Sequence, residues 1–385
     1  MRALSVLSGL FVTILGAAAL SACAPDSAPT RGDQSLSEAS AMNGPGPGAS
    51  DARVPELGAS PAIAKQSKIS MADGIAQAEK EHGAVIEAKF ELNDDGKLSL
   101  SLYPLGAGVD KDAERNVFQE LAGDPTTLPF TGSLEVFADQ EHLTRSARDL
   151  TLMQLSYLNV ADAVAKMPNN SFVYWAIPTS RYGVAGYGVY YLTAKNKSKY
   201  VFVDGLGDWG SGWDVWDFGS EPGEGATDAR VPELGDDLSV VLQSKISMAD
   251  ALDASEKQYG PAIEAKYEIG DDGKLSLSIY PVKDIDLDAE RNTFQELAGD
   301  PTVTPFEGSL STFAVPDAEH LTRSARDLTL VQTASLTLRD AVDLAEWVEP
   351  GGFVFWAIPT IRETRSGYGV YVYGKDKKVH YFFIS

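Results

Sequence analysis

At 385 residues, 44% of them hydrophobic, the chain is long enough to bury two or more cores, so several domains are expected. A formal charge of -23 argues against nucleic acid and anionic lipid headgroups as direct partners, because so acidic a surface repels both. The one cysteine excludes disulfides and leaves hydrophobic burial to hold the body together.

In chain order, Arg2 supplies a short basic region, Leu4 to Leu20 is almost wholly apolar, and Leu20-Ser21-Ala22-Cys23 offers the small residues that a signal peptidase needs. Residues 1–22 are therefore expected to be a signal peptide. The site resembles the lipobox of bacterial lipoproteins, which implies acylation of Cys23 and attachment to the lipid bilayer through it. Ala24, where Asp would mark retention, implies by the same resemblance an outer-membrane lipoprotein facing the periplasm or the cell surface. Residues 23–64 are rich in Ala, Pro, Gly and Ser without an apolar period, and read as a disordered tether. About 40 such residues span roughly 35 Å by coil scaling, enough to hold the body clear of the bilayer.

Four helix starts follow at nearly equal intervals: Ile69-Ser70-Met71-Ala72-Asp73-Gly74-Ile75, then Leu158 to Val164, Ile246 to Leu252 and Leu336 to Val342. In each, Ser, Asn or Thr is placed to cap the helix, and an Asp three residues later suits the positive end of its dipole. Extended runs come next. In the first unit Ala84 to Leu92 and Leu98 to Tyr103 flank Asn93-Asp94-Asp95-Gly96, a hairpin signal, and Asn116 to Leu121 is a third run. The strict alternation of Leu98-Ser99-Leu100-Ser101-Leu102 predicts one buried face and one wet face. In the last unit a helix from Thr337 to Trp347 is followed by strands Phe353 to Ile358, Tyr368 to Tyr373 and Val379 to Ile384.

This order, opened by an [Ile/Leu]-[Ser/Thr]-x-x-[Asp/Glu]-Ala-[Val/Ile/Leu] start, resembles the PepSY family of small extracytoplasmic modules, with Gly74 and Asn159 as departures. The resemblance implies a helix packed on a small antiparallel sheet and a role in binding or restraining peptidases. It implies no catalytic residues.

Long identities group the units as two halves. Asp51 to Gly58 returns at Asp228 to Gly235, Phe118 to Thr126 at Phe294 to Thr302, and Glu141 to Leu152 at Glu319 to Leu330. The expected class is α+β, with duplicated halves of two helix-plus-antiparallel-sheet units each. The first half covers residues 65–204 (units 69–125 and 158–204) and the second 228–385 (units 246–301 and 336–385), joined by a Gly/Trp/Asp-rich linker at 205–227.

Within the connector between units, Arg145 and Arg148 would share a helix face, as would Arg323 and Arg326. They are either partner contacts in an otherwise acidic protein or ion-pair partners of local carboxylates such as Glu141 and Asp149. Trp209, Trp213 and Trp216 place half of the six tryptophans in the linker, either tucked onto the flanking domains or available to a partner. The linker carboxylates lack the spacing of an EF-hand.

No catalytic constellation is legible. His82, His142, His320 and His380 form no metal-binding pattern, and there is no nucleophile elbow, P-loop or dinucleotide fingerprint. No cofactor or metal is expected. The reading is a cell-envelope lipoprotein that binds, and by resemblance inhibits, an extracytoplasmic peptidase or another envelope protein. The alternatives are an envelope hydrolase using carboxylates in a cleft between halves, and a structural spacer.

Overall fold

The computed structural model describes residues 61–205 and 237–385, apart from loop positions 107–108, 111–112, 182, 271, 284, 287–288 and 315, together with Leu57, Val215–Asp217 and Leu234. Residues 1–22, Cys23, Trp209 and Trp213, on which the signal-peptide, lipidation and linker expectations fall, lie outside the described residues, as do nearly all of residues 23–64, the expected tether.

The first half begins with helix α1 (Met71–His82), capped by Ser70, whose hydroxyl accepts from the Asp73 N–H at 3.1 Å. Strands β1 (Val85–Leu92) and β2 (Leu98–Pro104) form the hairpin, followed by β3 (Gln119–Gly123) and β4 (Gly132–Val136). Helix α2 (Gln140–Gln154) leads to α3 (Val160–Ala165), which opens on a capping box between Asn159 and Asp162. Strands β5 (Phe172–Arg181), β6 (Val184–Leu192) and β7 (Ser198–Asp204) complete the half.

The second half repeats this order. After a short strand β8 (Val215–Asp217) come α4 (Met248–Tyr259), β9 (Ala262–Ile269), β10 (Leu275–Pro281), β11 (Gln295–Gly299) and β12 (Gly308–Thr312). Helices α5 (Ala318–Thr333) and α6 (Leu338–Val348) and strands β13 (Phe353–Arg362), β14 (Arg365–Tyr373) and β15 (Val379–Ile384) follow. All four expected helix starts are present, each with an Asp in its first turn.

The chain is thus α+β, with two similar halves. The two units of a half share one antiparallel sheet rather than forming separate ones, because β1 pairs with β5 (Ala88 opposite Ala176) and β9 with β13 (Ala265 opposite Ala357). The first sheet runs β4-β3-β2-β1-β5-β6-β7, and the second has the same order with β8 added outside β15.

Strands β4 and β12 fall in the connectors, where no strand is expected. The reason is local. Gly123 and Gly132 face each other across β3 and β4, and a Cβ on Gly123 would stand 2.3 Å from the Thr131 carbonyl. The strands therefore approach through two glycines whose lack of side chains hides the strand signal. Gly74, the departure in the first helix start, has a comparable cause: a Cβ there would meet Leu100 Cδ2 at 2.8 Å.

The expectation of a wet sheet face is overturned. All seven residues of β2 are buried. Leu98, Leu100 and Leu102 join Ile75, Ala78 and Val160 in a core under α1 and α3. The interposed Ser99 and Ser101 are buried as well, on the face where α2 covers the neighbouring β1, β5 and β6. Ser101 donates to Glu91, and its counterpart Ser278 to Glu268 at 2.6 Å. Alternation here separates apolar from polar rather than dry from wet.

Helices α2 and α5 pack against each other and join the halves. Leu143, Ala147, Leu150, Leu321, Ala325 and Leu328 lie in one core with Ile86, Tyr103, Ile263 and Tyr280. The contact is reciprocal: α2 touches the short turn Ala289–Arg291 of the second half, and α5 touches Ala113–Arg115 of the first. Such a contact uses one patch twice, so the patch must complement itself. That requirement accounts for the location of the longest identical stretch between the halves, which forms these two helices.

Candidate interaction surfaces

The four arginines do not stand on the surface. Arg145, Arg148, Arg323 and Arg326 are buried, each no more than 6% exposed. Arg145 Nη2 donates to both carboxylate oxygens of Glu87 at 2.6 Å, and Trp175 Nε1 donates to the same Glu87 at 2.7 Å. Its guanidinium also lies over the Tyr103 ring, 5.6 Å from the centroid. Arg148 Nε donates to Asp149 at 2.7 Å, a pairing the sequence suggests. The second half repeats the arrangement, with Arg323 on Glu264, Trp356 Nε1 on Glu264 at 2.8 Å, and Arg326 on Asp327 at 2.8 Å. As partner contacts these side chains are corrected to internal ties: Arg145, Arg323 and Arg326 join α2 or α5 to the sheets, and Arg148 pairs with Asp149 within α2. The partner of Arg145 comes from β1, far away in sequence, where no local spacing rule reaches it.

Two arginines and two carboxylates are thus buried together in each half. Burial pushes the Glu87 carboxyl up, but Arg145, Lys89 and the Trp175 hydrogen bond outweigh it and hold it below the usual carboxylate range. Asp149 goes the other way. Burial lifts it to about 7, against the pull of Arg148, and the nearby Glu87 charge adds to the rise. Asp327 is lifted by burial to about 6. The cluster as a whole therefore takes up a proton near neutrality.

The folded state binds that proton more tightly than an unfolded chain, whose Asp titrates near 4. Stability contributed by these groups is present at low pH and is lost as pH rises from about 4 through about 7. The melting temperature is expected to rise by a few degrees between pH 8 and pH 5.5, and Asp149→Asn with Asp327→Asn to flatten that slope. An unchanged slope in the double variant, followed by circular dichroism, would refute the assignment.

The open features of the fold are its outer strands. β4 is exposed at every residue and β12 at all but its first. The Phe137 N–H bonds the Phe118 carbonyl at 3.0 Å, which makes Gln119 and Val136 a pair without mutual hydrogen bonds. By alternation Leu134, two residues away, also turns its N–H and C=O outward. The Phe313 to Phe294 bond, likewise 3.0 Å, does the same for Leu310 on β12. Leu128, Leu134 and Val136 in the first half, and Val303 and Leu310 in the second, are exposed around these edges. Among the described residues no strand lies beyond β4 or β12. Each half thus presents a short strand with outward hydrogen-bonding groups beside apolar side chains, the arrangement that captures an extended peptide.

Of the linker tryptophans, Trp216 lies in β8, its backbone opposite Phe383 of β15. Among the described residues no group of three or more His, Cys, Asp or Glu is placed to hold a metal ion, and no helix is long and apolar enough to cross a membrane. Comparisons with family models, curated proteins and solved structures found no match to this chain.

Proposed function

We propose that the chain is a bacterial cell-envelope lipoprotein, anchored through acylated Cys23, whose duplicated body binds an extracytoplasmic protein, a peptidase by the PepSY resemblance, through strand addition at β4 and β12. The observation that supports this reading most is the pair of equivalent exposed edges. Each offers outward backbone groups and exposed leucine at the same register. Two equal edges on one body allow a two-site partner to gain by effective concentration.

The test uses Leu134→Pro with Leu310→Pro. Proline at an outward-facing edge position removes a donor from the binding face without breaking the ladder behind it. The immobilised chain is expected to retain an envelope protein that the double variant loses, read by mass spectrometry of washed beads. Equal retention by both proteins, with folding of the variant checked by its melting curve, would remove the edges from the mechanism.

A further inference from the structure

The two sheets differ at their other ends. β15 carries β8 on its outer side, with Val215 opposite Ile384, Trp216 opposite Phe383 and Asp217 opposite Phe382. Its counterpart β7 carries no such strand among the described residues. The counterparts follow from the register: Tyr187 and Gly188 of β6 face Val203 and Phe202, as Tyr368 and Gly369 of β14 face Ile384 and Phe383.

The backbone of β7 is oriented to receive a strand. The Gly205 N–H bonds the Ala185 carbonyl at 3.1 Å, so Gly186 and Asp204 are a pair without mutual hydrogen bonds, and by alternation Phe202 turns its N–H and C=O outward. Phe202 is the counterpart of Phe383, the residue at the centre of the β8 contact.

The sequence ahead of each half differs at the matching place. The duplication extends upstream to Pro45 and Pro222: residues 45–58 and 222–235 differ only at Pro47/Glu224 and Ser50/Thr227. β8 ends five residues before Pro222, and the corresponding place before Pro45 holds Glu38-Ala39-Ser40 instead of Val-Trp-Asp. Ala and Glu are depleted in strands where Val and Trp are enriched, so the sequence at this place does not repeat the strand-forming composition of β8.

We propose that the outer edge of β7, at Val201–Val203, is a binding site for an extended peptide of another protein, with a β-branched and aromatic centre and an acidic C-terminal end. β8 on β15 is its template. A strand antiparallel to β7 runs its C-terminal end toward Lys199 and the turn that carries Lys195 and Lys197, a basic group in a chain of charge -23. Acidic residues at that end of the ligand are favoured there. The site is separate from β4 and β12 and does not rest on their role.

The probe is a labelled peptide of residues 213–219, Trp-Asp-Val-Trp-Asp-Phe-Gly, added to the full chain. Saturable binding by fluorescence anisotropy is expected, together with about tenfold slower hydrogen exchange in the Tyr200–Asp204 segment, in line with the hydrogen bonds gained. Phe202→Pro, tolerated where the N–H faces outward, should weaken binding about tenfold, and Lys197→Glu with Lys199→Glu should weaken it while leaving the ladder intact. The Leu134→Pro/Leu310→Pro chain should bind the peptide normally, which separates this site from the other two edges. The proposal is overturned if the peptide fails to bind, or if it binds equally to the Phe202→Pro and the Lys197→Glu/Lys199→Glu chains. It is also overturned if the segment is already protected without peptide. In that case deletion of residues 36–42 would identify the chain's own leader as the occupant, and dependence on protein concentration a second copy.

Discussion

Arg145→Met is expected to destabilise the chain by about 3–5 kcal/mol in chemical denaturation, because it leaves the Glu87 carboxylate buried with its main cation gone. Glu87 is 1% exposed and keeps the Trp175 N–H and the neighbouring Lys89 as partial compensation. The double variant Glu87→Gln/Arg145→Met removes both charges and keeps an acceptor for Trp175, so it should recover at least half of the loss. The same pair of measurements at Glu264 and Arg323 should give matching values, since the second half repeats the geometry. A loss under about 1 kcal/mol for Arg145→Met would place the ion pair in the energetic class of exposed pairs and contradict the burial.

The second large effect concerns the seam between the halves. Leu150 and Leu328 are fully buried in the core shared by α2 and α5. Truncating either to Ala should cost about 2–5 kcal/mol through lost transfer energy and the cavity left behind. Because both leucines line one core, the double variant should depart from the sum of the singles by about 0.5 kcal/mol or more. Additivity within error would mean that the two leucines do not share one packing environment, and two separate unfolding transitions would mean that the halves unfold independently. The outcome bears on function. If the halves form one cooperative body, the β4 and β12 edges are held in a constant relation, which is the condition for a two-site partner to gain from both.

The elements legible in advance were those with a strong local signature. The helix starts at Ser70, Asn159, Ser247 and Thr337 are capped as expected because a cap and its Asp lie three residues apart and need no other part of the chain. The Asn93 to Gly96 hairpin and the three last strands were readable for the same reason. Strands β4 and β12 were not, because their pairing depends on the glycines of β3 and β11 allowing close approach. The arginines carried a signal, their repetition at identical places. It points inward rather than to the surface, since Arg145 and Arg323 answer to carboxylates on β1 and β9, while Arg148 and Arg326 answer to the adjacent Asp149 and Asp327. The open edges carried almost no signal, because an edge is defined by which strand is missing beside it.

What the sequence alone determined is the doubling, the α+β class and the positions where helices begin, since these rest on repetition and on hydrogen bonds a few residues long. The tertiary structure decided that two units merge into one sheet, that the serine face of β2 is covered, and that the most repeated helix is the seam between halves. It also decided that β8 completes one sheet and not the other. The reason is physical: burial and strand neighbourhood are properties of surfaces brought together from distant parts of the chain, and no local pattern states what a face will meet.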